Sequence, residues 1–266
     1  MIKRTLFFTV CSASLLAGML TVTSIAKAAS TTLTGTVRDF SPGALVPGST
    51  NPDFESGVGG VVHGMVDSAL TGSAPTPILF GAPGYITSSA SFAEWYGSAA
   101  PSMPYSITLN ETFAGSGIYS YSDSSFFPID GLLLGNYGSS GHNFHFTYQI
   151  HSTFDYIQGA GQTFNFSGDD DVWVYFDNKL GIDLGGVHSS ASQSVNLDTL
   201  FGPGKSSGTY SFDFFFAERH TSESNFTITT SLALIPAVPE PETYAMLLAG
   251  LGLLGFMFRQ RKEVAI

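Results

Sequence analysis

The chain has 266 residues, a single cysteine, and 10 Lys and Arg against 21 Asp and Glu, for a net charge of −11 with histidines neutral. So few cations on so acidic a chain exclude nucleic acid as a natural partner, because phosphate contacts depend on Lys and Arg. With 23 Phe, 30 Gly and only 12% charged residues, the composition suits short strands joined by tight turns.

Residues 1–28 read as a secretory signal peptide. Lys3 and Arg4 precede an apolar run from Leu6 to about Val22, and Ala26-Lys27-Ala28 is a small-x-small cleavage pattern, with cutting after Ala28. Cys11 leaves with this peptide and lies in no lipoprotein-type motif, so the exported body has no disulfide and relies on its core. That body, 29–235, is long enough for one β-domain. It keeps four fixed cations, Arg38, Lys179, Lys205 and Arg219, and 18 of the 21 acidic residues, which puts its charge near −14.

Strand signals dominate the body. Leu33 to Val37 and Ser106 to Leu109 are short candidates. Asn143 to Tyr156 alternates, with Phe144, Phe146, Tyr148 and Ile150 on one side and His145, Thr147, Gln149 and His151 on the other. Gln162 to Ser167, Val172 to Phe176, Lys179 to Asp183 and Ser194 to Leu197 follow. Tyr210 to Phe216 and Phe226 to Leu234 complete a set of about nine. Asp177-Asn178 predicts a tight hairpin turn, since Asn tolerates positive φ. Helical signal is sparse. Ser91-Phe92-Ala93-Glu94 has capping-box spacing, and Val58 to Leu70 has room for a turn or two despite Gly59, Gly60 and Gly64. The pattern predicts an all-β fold, an antiparallel sandwich or barrel with one or two short helices.

The chemistry concentrates in Gly168 to His188, where Asp169, Asp170 and Asp171 stand directly before an apolar strand. Adjacent like charges raise one another's pKa values. They persist either as a solvated acidic turn or around a hard divalent cation, and Ca²⁺ prefers carboxylates among its six to eight oxygen ligands. Asp183, on a neighbouring segment, is a further candidate ligand. Trp173, His188, Arg219 and His220 are candidates for lining a ligand site. For Arg219 an ion pair with the acidic loop competes with that role, and for Trp173 a place in the core does. His142, His145 and His151 have no tight metal spacing and read as surface or edge residues.

At the far end, Pro239-Glu240-Pro241 is followed by an apolar run from Tyr244 to Phe258 and by Arg259, Arg261 and Lys262. As a helix the run would be about 22 Å long, slightly short of a full membrane span. Its basic end would stay cytoplasmic under the positive-inside rule. This three-part tail, 236–266, resembles the PEP-CTERM sorting signals of exported bacterial proteins. The resemblance implies processing by an exosortase, transient inner-membrane anchoring through 244–258, and a final place on the cell surface or in an exopolysaccharide or biofilm matrix.

The body in turn resembles the fibro-slime domain of secreted matrix proteins. The matching words are VRDF at Val37, NPDFE at Asn51, FAEWY at Phe92, FFPIDG at Phe126 and HNFHFTYQIHSTFDY at His142. FNFSGDDDVWVYFDNKLGIDLGGVH from Phe164 and FFFAERHTSESNFTITT from Phe214 complete the set. The likeness extends to the protective-antigen-type β-sandwich of flocculin adhesins. There an Asp-Asp-Gly pattern follows a strand, the Asp pair is joined by a cis peptide, and it binds a Ca²⁺ that coordinates sugar hydroxyls. Asp169-Asp170 match the pair, and Asp171 stands where that pattern has Gly. The implied function is non-enzymatic, Ca²⁺-dependent adhesion or carbohydrate binding. Two alternatives stand beside it. One is a purely structural extracellular protein. The other is a glycan-active hydrolase pairing Asp169 with Asp183 or Glu218.

Overall fold

A computed structural model of the chain describes residues 28–42, 51–57, 59–72, 75–80, 85–137, 141–237 and 251. Of the signal peptide it describes only Ala28, which is exposed. Pro239, Glu240, Pro241 and, apart from Leu251, the apolar run 244–258 lie outside the described residues. Among the described residues no helix is long and apolar enough to cross a membrane.

Eleven strands form one antiparallel sheet. In chain order they are β1 Ser30–Asp39, β2 Ser102–Glu111, β3 Tyr119–Asp123, β4 Phe146–Tyr156, β5 Thr163–Gly168, β6 Asp171–Phe176, β7 Lys179–Leu184, β8 Ala191–Asn196, β9 Gly208–Glu218, β10 Phe226–Thr230 and β11 Ala233–Ile235. Two short helices, α1 Ser89–Ala93 and α2 Leu197–Phe201, join them in the body among the described residues. The sheet runs β7-β6-β9-β4-β1-β2-β3-β10-β5-β8, with β11 added to β4. Its two end strands meet, the Asp183 N–H donating to Gln193 Oε1 at 2.6 Å. The sheet thus curls into a nearly closed sandwich, and the all-β antiparallel expectation holds.

Period-two alternation explains the main core. Phe146, Tyr148, Ile150 and Phe154 of β4 meet Phe212, Phe214 and Phe216 of β9, with Phe164, Phe166, Phe226 and Phe126 packed against them, all at most 1% exposed. Their rings meet largely edge-on or tilted, as the aromatic quadrupole favours. β6 is buried on both sides. Val172, Val174 and Phe176 face this core. Trp173 and Tyr175 face a second one, built with Phe40, Phe54, Phe92 and Trp95 from the irregular segment that covers the outside of β6 and β9. Asp177 and Asn178 form the expected hairpin turn, both at positive φ (49° and 63°).

Several local expectations are corrected. Of the stretch Val58 to Leu70, the described residues 59–70 are not helical. Gly60 and Gly64 sit at positive φ, and the segment instead makes isolated bridges, Val62 to Gly185 and Ala69 to Lys179. α1 starts one turn earlier than its sequence suggested. Ser88 is the N-cap and Ser91, not Glu94, closes the capping box. The run from Phe226 to Leu234 divides into β10 and β11, because the Leu232 N–H turns back to Thr230 Oγ1 and the chain crosses to β4. β3 was not foreseen. Leu197 begins α2 behind an Asn196 cap rather than ending a strand.

Candidate functional site

β5 ends at Gly168 and β6 begins at Asp171, so Asp169 and Asp170 form the link between the two strands. The Asp169-Asp170 peptide is cis, the geometry that the sequence resemblance implies. Gly168 is required by close approach. A Cβ there would stand 2.1 Å from the backbone oxygen of Asn225. This contact lays Asn225 against Asp169, whose Oδ1 accepts from the Asn225 N–H (2.6 Å) and Oδ2 from Asn225 Nδ2 (2.7 Å). Asp170 is held by two backbone donors, the N–H of His188 on Oδ1 and the N–H of Arg219 on Oδ2, each at 3.1 Å.

Both carboxylates are nearly buried, at 3% and 4% exposure, and no ion pair among the described residues involves either one. Burial therefore raises both pKa values. Asp170 is pushed up to about 7, first by burial and then by the neighbouring charge of Asp171. Asp169 is raised by burial against the hydrogen bonds from Asn225. They line a cavity of about 220 Å³ together with His188, His220, Ser222 and Glu223. Behind them Glu218 is fully buried. Burial, then Asp170 and Asp169, hold its pKa well above the ordinary range.

The other sequence candidates separate into two groups. His188 and His220 do line the cavity. The Nε2 of His188 is buried without a partner, and His220 leans on Glu55 at 3.4 Å. Asp171 does not join the pair. Its side chain lies on the opposite side of the strand entrance, gripped by Arg219 Nε at 2.6 Å and Nη2 at 3.2 Å and by the Gly186 N–H at 2.5 Å. Arg219 is correspondingly not a ligand-lining residue. It is fully buried, donates Nη1 to the Asp53 carbonyl and stacks 5.0 Å from the Trp95 ring. Burial, the largest single influence, lowers its pKa; the charge and hydrogen bonding of Asp171, with the charges of Asp170 and Asp53, together outweigh it and raise the value. Trp173 is a core residue at 0% exposure, packed on Phe92 and Trp95. Asp183 lies away from the cavity and accepts the Gly64 N–H at 2.7 Å. His145, read as a surface or edge residue, is 1% exposed and bonded to Glu55 at 3.0 Å. The side chains of His142 and His151 are exposed.

Among the described residues no three His, Cys, Asp or Glu side chains are gathered to hold a metal ion. A cation here would draw two carboxylates from the chain and its remaining oxygens from backbone, amide, water or ligand hydroxyls. Each Asp169 and Asp170 oxygen accepts one N–H bond and has a second lone pair to offer. This all-oxygen donor set fits Ca²⁺. Asn225 is the component that sequence reading missed. Its only local signal was a glycosylation-type triplet, and its partner is 56 residues away.

The fold and the tail define an exported surface protein. Residues 237–262 match the PEP-CTERM protein-sorting motif, the signal on which exosortase-type processing acts. The body is similar to three Dictyostelium discoideum proteins. Protein psiC is 42% identical over 226 residues, covering 77% of this chain and 42% of the relative. Protein psiQ is 42% identical over 204 residues (70% and 20%), and protein psiD 40% over 219 (75% and 41%). The chain spans less than half the length of each. A solved GH31 alpha-xylosidase from Xanthomonas citri overlays 52% of the chain and 15% of its own at 9% identity, with a TM-score of 0.25, too low to bear on fold or function.

Proposed function

We propose that this is a non-enzymatic, fibro-slime-type surface or matrix protein whose Asp169–Asp170 pocket binds Ca²⁺ and, through it, the hydroxyls of a glycan. One observation carries the reading. Two adjacent carboxylates, nearly buried and facing a shared cavity, form no direct ion pair among the described residues, and Arg219, whose charge reaches Asp170, is already closed on Asp171. Burying ionised carboxylates without a counter-charge is costly, and a divalent cation removes that cost. Residues 244–258 would hold the precursor in the inner membrane until an exosortase-type enzyme cuts the tail, leaving the body on the surface or in the matrix. The burial of Glu218 and the distance of Asp183 from the cavity argue against a hydrolase, since neither offers a second solvent-facing carboxylate beside Asp169.

Calorimetric titration of the full-length chain with Ca²⁺ tests the metal. Heat is expected for the wild type and none for Asp169→Asn/Asp170→Asn. At a hundredfold excess over Kd, binding to the folded state alone adds about 2.7 kcal/mol. At roughly 2–4 °C per kcal/mol for a domain of this size, chelation should lower Tm by several degrees. A glycan array probed with and without chelator then tests the sugar. No heat and an unmoved Tm would leave a structural surface protein without a ligand.

A further inference from the structure

The outer face of β1, β2, β3, β10, β5 and β8 is a continuous field of Ser, Thr and Asn. Strand registry sets these side chains opposite one another: Thr32 with Thr108, Thr34 with Ser106, Ser122 with Thr227, Ser120 with Thr229, and Ser167 with Ser192. Four of these pairs are bonded hydroxyl to hydroxyl at 2.8 Å, and Ser120 and Thr229 at 3.2 Å. Across β10, β5 and β8 the field dips into a groove of about 260 Å³, lined chiefly by Asn165, Ser167, Ser192, Ser194, Thr227 and Thr229, and by no charged residue. It shares no lining residue with the Asp169–Asp170 cavity.

We propose that this groove binds a chain of an uncharged polysaccharide without calcium. A charge-free surface on a body near −14 sets the class of ligand. An anionic polymer would meet no cation in the groove and would be repelled by the body as a whole. A cationic one would find no carboxylate there. A protein partner would want large aromatic and aliphatic anchors at its centre, and the one aromatic residue lining the groove, Phe166, is 1% exposed. Each Ser or Thr hydroxyl has one donor and two acceptor sites, so cross-strand pairing leaves capacity for a ligand that both donates and accepts, as sugar hydroxyls do. Strands about 4.8 Å apart and same-face residues about 6.6 Å apart along each strand space these groups on the scale of a single sugar ring.

Affinity gel electrophoresis of the full-length chain in non-ionic detergent and EDTA tests this. The gels would contain hydroxyethylcellulose, galactomannan or amylopectin, with alginate as the acidic control. Retardation by at least one neutral polymer is expected, with none by alginate. It should weaken at least fivefold in Asn165→Lys/Ser194→Lys, which fills the groove, and in Thr227→Val/Thr229→Val, which removes hydroxyls at nearly constant shape. Asp169→Asn/Asp170→Asn should leave it unchanged, which separates this site from the calcium pocket. No retardation by any neutral polymer would overturn the proposal. So would equal retardation by alginate, or retardation that both groove variants retain with unaltered circular dichroism.

Discussion

Asp170 and Asp171 are neighbours in sequence and opposites in circumstance. One has only backbone amides and faces a cavity; the other closes on a guanidinium with no access to water. The triplet was legible in the sequence as an unusual concentration of charge, but its division was not. That division depends on Arg219 arriving 48 residues later, just past the end of β9, and no spacing rule reports which carboxylate a distant segment will meet. Removing one member of a buried ion pair strands the other, at a cost of about 3–5 kcal/mol. Asp171→Asn should therefore lower the urea midpoint sharply while leaving Asp169 and Asp170 in place. Asp170→Asn should abolish the heat of calcium binding. A variant at Asp171 that unfolds no more easily than wild type would contradict the assignment of Asp171 to structure.

At the level of elements, β1 ends in Asp39, which fastens the loop ahead of β4. Its Oδ1 accepts from Asn143 Nδ2 at 2.9 Å and its Oδ2 from the Leu134 N–H at 2.8 Å. Burial outweighs these bonds and raises its pKa from 3.8 to about 6. Between those values the folded protein binds this proton more tightly than the unfolded chain, so its contribution to stability falls as pH rises from about 4 to 6. Urea melts at pH 4 and pH 6.5 should show that decline in the wild type relative to Asp39→Asn; parallel profiles would sink the argument. Strands with clean alternation were legible because one face had to be buried. Val58 to Leu70 misled because Met65, Val66 and Leu70 are spaced plausibly for a helix, yet they are buried by the second core while two glycines turn the backbone away. β3 escaped because its tyrosines are only half-buried at a sheet position that its own five residues cannot announce.

For the whole molecule, the folded body begins close behind the expected signal-peptide cut and ends close before the sorting motif. β1 begins two residues after Ala28, and the sorting motif begins two residues after β11 ends at Ile235. Replacing Pro239-Glu240-Pro241 with alanines should block tail processing and keep the larger, unprocessed form in the inner-membrane fraction. Loss of the size difference between total and surface-released protein is the measurement, and unaltered release would contradict it. β11 is short, but it is laid antiparallel along β4, and the Ser152 hydroxyl donates to the Ile235 carbonyl at its last residue. Any pull exerted through the C-terminus thus loads that three-residue splice lengthwise, against several bonds at once rather than one after another. Because β4 is the strand that also carries β1 and β9, the force enters the sheet between its end strands rather than at an edge.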